Sequence, residues 1–440
     1  MSLTAVVFVL GFLACCVAAL ARHPVFGLLA YVGVFYVHPP AQWWGQGFLL
    51  DVRWSLIAAV VTWVAVLRIK PQHRVVPFLG SSLTVGMMLF VVLLAAQLTW
   101  AMDVALQLDL LVLFAKYALL IWLVCRCIET EQHLKFFLWA HVLGCFYFGW
   151  DVYTTYEGGR FEGFEAPGVS DANSGAMQIV TGIFTASALF LSGRKAERAA
   201  LIGVIPFIIN ALVATVSRSA ALAVATGGIM FNLFTPRPFR WWVRMLSVLA
   251  AVLFVMLTNE LFWTRMETLQ YKGEYVEGTD TGAGRIAIIH AQWRMFKAHP
   301  MGCGHRCTAV LSPYYMPDEM LTGEEGLRAR SSHNSVMTML VEHGFLGEGL
   351  YLGLLLWISR SALVLFRRLR SDTGLIARTL PAVVAVLVAI TIGDFFVDYV
   401  KLEVRIWFIA ILLLMLNMTQ PMSDDRRRGE VEVPCTVRDG

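Results

Sequence analysis

The sequence predicts an all-α polytopic membrane protein of about 12 or 13 transmembrane helices with a long, partly helical loop late in the chain. Three observations point there. Hydrophobic residues make up 58% of the 440 and charged residues only 15%, at a mean hydropathy of +0.66, whereas soluble domains carry roughly 25% charged residues. The apolar residues fall in uncharged runs of about 15 to 22, near the length that crosses a bilayer as helix. Those runs are continuous, as at residues 83–96, where a transmembrane β-barrel would alternate apolar and polar residues in segments of about 10. A water-soluble enzyme is excluded, and a net charge of +4 is too small to suggest a nucleic-acid partner.

The runs lie near 3–20, 24–38, 54–69, 78–99, 106–124, 134–151, 174–192, 199–216, 219–235, 242–260, 335–366, 377–397 and 403–418. Residues 1–20 end in Ala19-Leu20-Ala21 like a secretory signal but lack its basic n-region, so we read a retained helix. Residues 1–38 make either two crossings or a tight hairpin. Lys and Arg in short loops mark the cytoplasmic side. They cluster at Arg68, Lys70 and Arg74, at Arg194, Lys195 and Arg198, at Arg237, Arg240 and Arg244, at Arg367, Arg368 and Arg370, and in the tail at 426–428. The alternate connections 39–53, 100–105, 152–173, 261–334 and 398–402 then face outward. The chain divides into a helix bundle over 1–260, the long outward loop 261–334, C-terminal spans over 335–418 and a disordered cytoplasmic tail from 419. Cys15, Cys16, Cys125, Cys127 and Cys145 sit in or beside apolar runs and read as small core residues.

A loop as long as 261–334 is uncommon unless functional, and from Trp263 to Ser332 it carries eight basic and eight acidic residues. Thr281-Gly282-Ala283-Gly284-Arg285 precedes Ile286, Ile289, Trp293 and Phe296, an apolar stripe along one helix face that would lie on the bilayer or the bundle. Its N-terminus offers free N–H groups beside Arg285, suited to a phosphate, or is a capped surface helix with a solvated arginine. Arg218, at the outward turn Ser217-Arg218-Ser219, is an anion candidate or a snorkelling interfacial residue. His333 ends the loop before Asn334, able to take a proton near neutral pH as a general base, or serving only structure. Lys116 lies mid-span and reads as paired with Asp394 or Asp398. Cys303 and Cys307 form a disulfide or stay as thiols; with His305 they leave a zinc site one ligand short. No outward loop holds an Asp-x-Asp pair, so the cationic role falls to arginine.

The order Asp171-Ala172-Asn173, Ser217-Arg218-Ser219, Arg285 with Trp293 and Pro300-Met301-Gly302-Cys303-Gly304, His333-Asn334, then Glu342-His343-Gly344 resembles the bacterial O-antigen ligase and O-antigen polymerase superfamily. The N-terminal third, with His38-Pro39-Pro40, is similar to O-glycosylation ligases associated with exosortase systems. The resemblance implies a GT-C type glycosyltransferase of the inner membrane, acting at the periplasmic face among membrane lipids without metal or other cofactor. It would pass an undecaprenyl-diphosphate-linked glycan to a sugar hydroxyl of lipid A–core. Arg218 and Arg285 would hold the diphosphate and His333 would activate the acceptor, with Asn173, Asn334, Glu342 and His343 as further substrate-binding residues. Cys303 and Cys307 depart from the family pattern. An O-antigen polymerase or a protein O-glycosylation ligase shares the donor and differs in acceptor, and a lipid-linked glycan transporter is the reading of another class.

If arginines stand in for a divalent cation, excess EDTA will leave glycan transfer by the purified protein unchanged; a large loss restored by magnesium or manganese would reject that charge assignment.

Overall fold

The computed structural model describes residues 2–68, 80–164, 166–169, 171–257, 263, 282–316 and 334–419. Among these there is no strand, only helices, turns and an isolated bridge between Ala166 and Val169. Every predicted run is a helix to within a few residues: Leu3–Ala21, Val25–Val37, Trp54–Arg68, Ser82–Gln97, Val104–Cys127, Glu131–Thr155, Ala172–Ser192, Lys195–Ala214, Arg218–Phe234, Arg240–Leu257, Ser335–Leu369, Leu375–Gly393 and Glu403–Met418. Seven described helices are long and apolar enough to cross a membrane, and four shorter apolar helices accompany them. One short helix is Val25–Val37, which stops where His38 turns left-handed (φ 37°) ahead of Pro39 and Pro40, since proline removes a donor and fixes φ. The tail from 420 onward lies outside the described residues.

The connections separate into two sets at opposite ends of the bundle. At one end Trp100 Nε1 donates to the Gly302 carbonyl (3.1 Å), Arg160 Nε to that of Thr215 (3.3 Å) and Tyr399 OH to that of Asn173 (2.9 Å). At the other end Lys135 pairs with Glu197 (2.5 Å), Arg378 Nη1 donates to the Leu191 carbonyl (3.2 Å) and the Arg237 amide to that of Arg370 (3.3 Å). This is the partition that the loop charges predict.

Tyr36, His141, Gln178 and Thr181 form a polar network inside the bundle, since burial favours pairing, although Gln178 Oε1 has no partner. Gln178 Nε2 donates to Tyr36 Oη (2.5 Å), so the tyrosine proton goes to His141 Nδ1 (2.6 Å). His141 Nε2–H then meets Thr181 Oγ (3.1 Å), whose own proton goes to the Gln178 carbonyl (2.6 Å). The pairing expected for Lys116 does not form. Lys116 shares the exposed face of its helix with Leu108, Val112 and Leu119, spaced three and four residues apart, and Asp394 is held by Arg405 instead. The connection expected to face outward at 398–402 is packed into the protein, with Tyr399 and Leu402 buried. Irregular backbone is tolerated among helices when protein surrounds it.

The Gly282–Ala298 helix packs through Ile288, Ala291 and Met295 onto Cys303, Cys307, Leu311 and Val341. Of the predicted stripe Phe296 packs partly against this cluster, while Ile286, Ile289 and Trp293 stay exposed, so the bundle takes mainly a different face. Cys303 and Cys307 are joined as a disulfide, which leaves neither thiolate for zinc.

The Ser335–Leu369 helix is broken at Gly344 (φ 67°, ψ −168°), a conformation open essentially to glycine alone. Around the break the helix exchanges its own hydrogen bonds for bonds to the loop: Cys303 N donates to the Val341 carbonyl (3.2 Å), Gly304 N to that of Glu342 (2.9 Å), and Phe345 N to that of Pro300 (3.1 Å). A Cβ on Gly344 would lie 2.4 Å from the Met301 carbonyl carbon, and one on Gly302 2.5 Å from the Glu342 carbonyl oxygen.

Gly344→Ala or Gly302→Ala will therefore lower the melting midpoint in detergent. The left-handed conformation alone costs roughly 1–2 kcal/mol, and the backbone clash adds to it. Gly349→Ala, where an added Cβ meets nothing within 4 Å, will melt like the parent or slightly higher; equal melting of all three variants would refute the packing described.

Candidate functional site

Three helices begin side by side at one end of the bundle. Asp171 caps Ala172–Ser192, its Oδ1 accepting from the amides of Asn173 (2.9 Å) and Ser174 (3.2 Å). Ser217 caps Arg218–Phe234 through the Ala220 amide (3.3 Å), and Asn334 caps Ser335–Leu369 through the Met337 amide (3.0 Å). Each is an Asp, Ser or Asn of the kind helix starts select. They are joined to one another: Ser217 Oγ donates to Asn173 Oδ1 (2.8 Å), Tyr399 OH to the Asn173 carbonyl (2.9 Å), and Tyr399 N to Ser335 Oγ (2.8 Å). The positive ends of three helix dipoles thus meet around Asn173, Ser217 and Ser335.

Two arginines flank this junction. Arg218 is the first, half-buried residue of its helix. Arg160, on the loop after Glu131–Thr155, reaches Asn173 Oδ1 through Nη2 (3.3 Å) and the Thr215 carbonyl through Nε (3.3 Å). Between Thr215 and Ser217 the backbone turns through Val216 at φ 46°, an outlier for a β-branched residue, and strain of that kind is kept mainly where a site requires it.

Beneath the junction lies a buried carboxylate. Asp394, fully buried, accepts from Ser335 Oγ (2.5 Å), Tyr351 OH (2.6 Å) and the guanidinium of Arg405, itself 5% exposed. Beside it, Asp398 Oδ1 accepts from the Val400 amide (3.2 Å) and lies 3.4 Å from Ser335 Oγ. Burial raises the Asp398 carboxyl above the usual carboxylate range; repulsion from Glu342 adds to this and attraction to Lys401 opposes it.

A second cluster adjoins through Asp398 and Lys401. Lys401 Nζ donates to His305 Nε2 (3.4 Å), which leaves the Nδ1 proton for Glu342 Oε2 (2.9 Å). The His305 amide donates to Gln107 Oε1 (2.8 Å), and the disulfide closes the turn on which His305 sits. His343 Nδ1 meets Gln97 Oε1 (2.7 Å), while Gln97 Nε2 donates to the Glu342 carbonyl (3.0 Å).

Of the residues singled out from sequence, Asn173, Arg218 and Asn334 belong to the three-helix junction, and Glu342 and His343 to the neighbouring cluster. Arg285 falls in the first turn of Gly282–Ala298; its side chain, and the whole of His333, lie outside the described residues. Sequence reasoning missed Arg160, His305 in this role, Ser335, Tyr399 and Arg405. Arg405 carried a legible signal, a charge that follows Glu403 by two residues at the head of an apolar run. Tyr399 and Ser335 carried none, because neither residue type is unusual at a span end.

Residues 201–352 match the model of the family described as O-antigen ligase. The matched segment is about a third of the chain. No curated protein matches the chain. The matched segment contains Arg218, Arg285, His333, Asn334, Glu342 and His343, whereas Asn173, Asp394 and Tyr399, which complete the junction, lie outside it.

Asp394→Ala will leave the Arg405 guanidinium buried and unpaired, a loss of about 3–5 kcal/mol, seen as a lower melting midpoint and less monodisperse protein. Asp394→Leu combined with Arg405→Met will recover most of that loss. A single variant as stable as the parent would show that the pair is not a structural tie.

Proposed function

We propose that the chain is a metal-independent, inverting glycosyltransferase of the bacterial inner membrane. It takes an undecaprenyl-diphosphate-linked O-antigen glycan at the periplasmic face and joins it to a sugar hydroxyl of lipid A–core. The observation that carries this is the junction itself: three helix N-termini with Arg218 and the Glu162-paired Arg160 beside them, partly within the segment that matches the O-antigen ligase family, suit an anion such as a diphosphate.

The chemistry asks little else of the protein. A polyprenyl diphosphate leaves readily, so no general acid is required; positive charge must stand where negative charge develops, and a base must act on the opposite side. Arg218 and Arg285 supply the planar guanidinium forks, each able to hold two phosphate oxygens. Asn173 and Asn334 orient the first turns around them. His333, next in sequence to the cap Asn334, takes the proton of the acceptor hydroxyl as its oxygen attacks the anomeric carbon. One direct displacement inverts that centre. Glu342 and His343 hold the loop that frames the site.

Arg218→Lys and Arg285→Lys will each weaken donor binding, because lysine keeps the charge and loses the fork. His333→Ala will leave donor affinity nearly intact while transfer falls by a factor on the order of 10² to 10⁴. Donor affinity and single-turnover transfer measured on the purified variants decide the roles; a His333→Ala protein that loses donor binding but turns over normally at saturating donor would make the histidine a phosphate ligand. Offering rough lipopolysaccharide, a second carrier-linked glycan and a pilin-like protein in parallel separates ligase from polymerase and protein ligase.

A further inference from the structure

Beside the junction, at the same end of the bundle, opens a cleft of about 350 Å³, within the range of about 300–1,000 Å³ usual for small-ligand sites. Trp43, Tyr147 and Phe161 supply aromatic faces to its walls, Gln42 an amide and Asp151 a carboxylate, with Tyr36 at its floor. We propose that this cleft is a carbohydrate subsite that seats a pyranose ring of one of the glycans handled at the junction.

The lining suits a sugar better than a lipid. A pyranose presents C–H faces that pack on aromatic rings and a rim of hydroxyls that need donors and acceptors in the ring plane. Tyr147 OH donates to Gln42 Oε1 (2.6 Å), which fixes the amide and leaves its nitrogen as a donor on the cleft wall. Asp151 provides an acceptor. An isoprenoid chain has no use for either group, and burying them against hydrocarbon would carry a desolvation cost. Trp43 is 75% exposed, so its ring is available as a stacking platform. The floor is rigid because Tyr36 is tied to His141 and Gln178.

The cleft and the anion junction share one loop. Arg160 turns to Thr215 and Asn173, while the next residue, Phe161, lines the cleft and donates its amide to the Ala214 carbonyl (2.9 Å). Ala214 and Thr215 lead directly into the Ser217–Arg218 turn. A sugar in the cleft therefore lies one loop residue away from the phosphate site. Which glycan fills it rests on the transferase reading above; that the cleft binds sugar does not.

Saturation-transfer NMR on the purified full chain in a sugar-free zwitterionic detergent tests the proposal with three probes: maltotriose, chitotriose and the lipid-free core oligosaccharide of lipopolysaccharide. Pyranose C–H protons of at least one probe will be saturated by the parent protein. Trp43→Ala and Asp151→Asn will weaken that probe at least tenfold, and Arg218→Lys will leave it unchanged. No saturation with any probe, saturation in both cleft variants equal to that of the parent, or farnesyl phosphate binding that those variants abolish in place of sugar would each overturn the subsite. Sugar binding by a protein that transfers no glycan would leave the subsite standing and reject the transferase.

Discussion

A single buried carboxylate holds the three-helix end of this bundle together. Asp394 ends one helix, and its side chain binds Ser335 and Tyr351 of a second and Arg405 of a third. Removing ions from water is costly, and such a pair persists only when every oxygen and N–H finds a partner. That requirement fixes where Ser335 stands. Ser335 Oγ receives the Tyr399 amide, and Tyr399 in turn reaches Asn173, so the relative placement of the helix starts at Asn173 and Ser335 follows from the ion pair below them.

The backbone exchange at Gly344 is the second constraint. A continuous helix would satisfy its own carbonyls and leave the Cys303 and Gly304 amides without these acceptors. By breaking at Gly344 the helix gives the carbonyls of Val341 and Glu342 to that turn and brings Glu342 against His305. The glycines at 302 and 344 are needed because two backbones meet there with no room for a Cβ. The disulfide keeps the turn closed around His305, which in turn orients Lys401.

The three-helix junction and the aromatic cleft meet at the loop that carries Arg160 and Phe161. Its two faces have different chemistry, charge and backbone N–H on one, aromatic surface with an amide and a carboxylate on the other. A lipid-linked glycan has the same division, phosphate at one end and sugar at the other.

Hydropathy alone located every helix of the bundle, because a run that must satisfy its backbone in lipid can only be helical. Loop charge sorted the connections into their two sets for an equally local reason. The capping residues Asp171, Ser217 and Asn334 and the candidates Arg218, Arg285 and His333 were also visible, since helix starts and ionisable residues at span ends stand out in an apolar chain. The partners were not. Lys116 and Arg405 are both charges within apolar runs, yet only Lys116 was singled out from sequence, and helical phase and packing decided that one faces outward while the other meets Asp394. Tyr399, Ser335 and Arg160 come from distant parts of the chain, and their meeting depends on how the helices cross, which no local pattern records. Sequence by itself determined the elements, their alternation and the chemical types available at one end. Tertiary structure decided which of those groups are neighbours, because burial selects pairings by geometry across long separations and residue type constrains them only loosely.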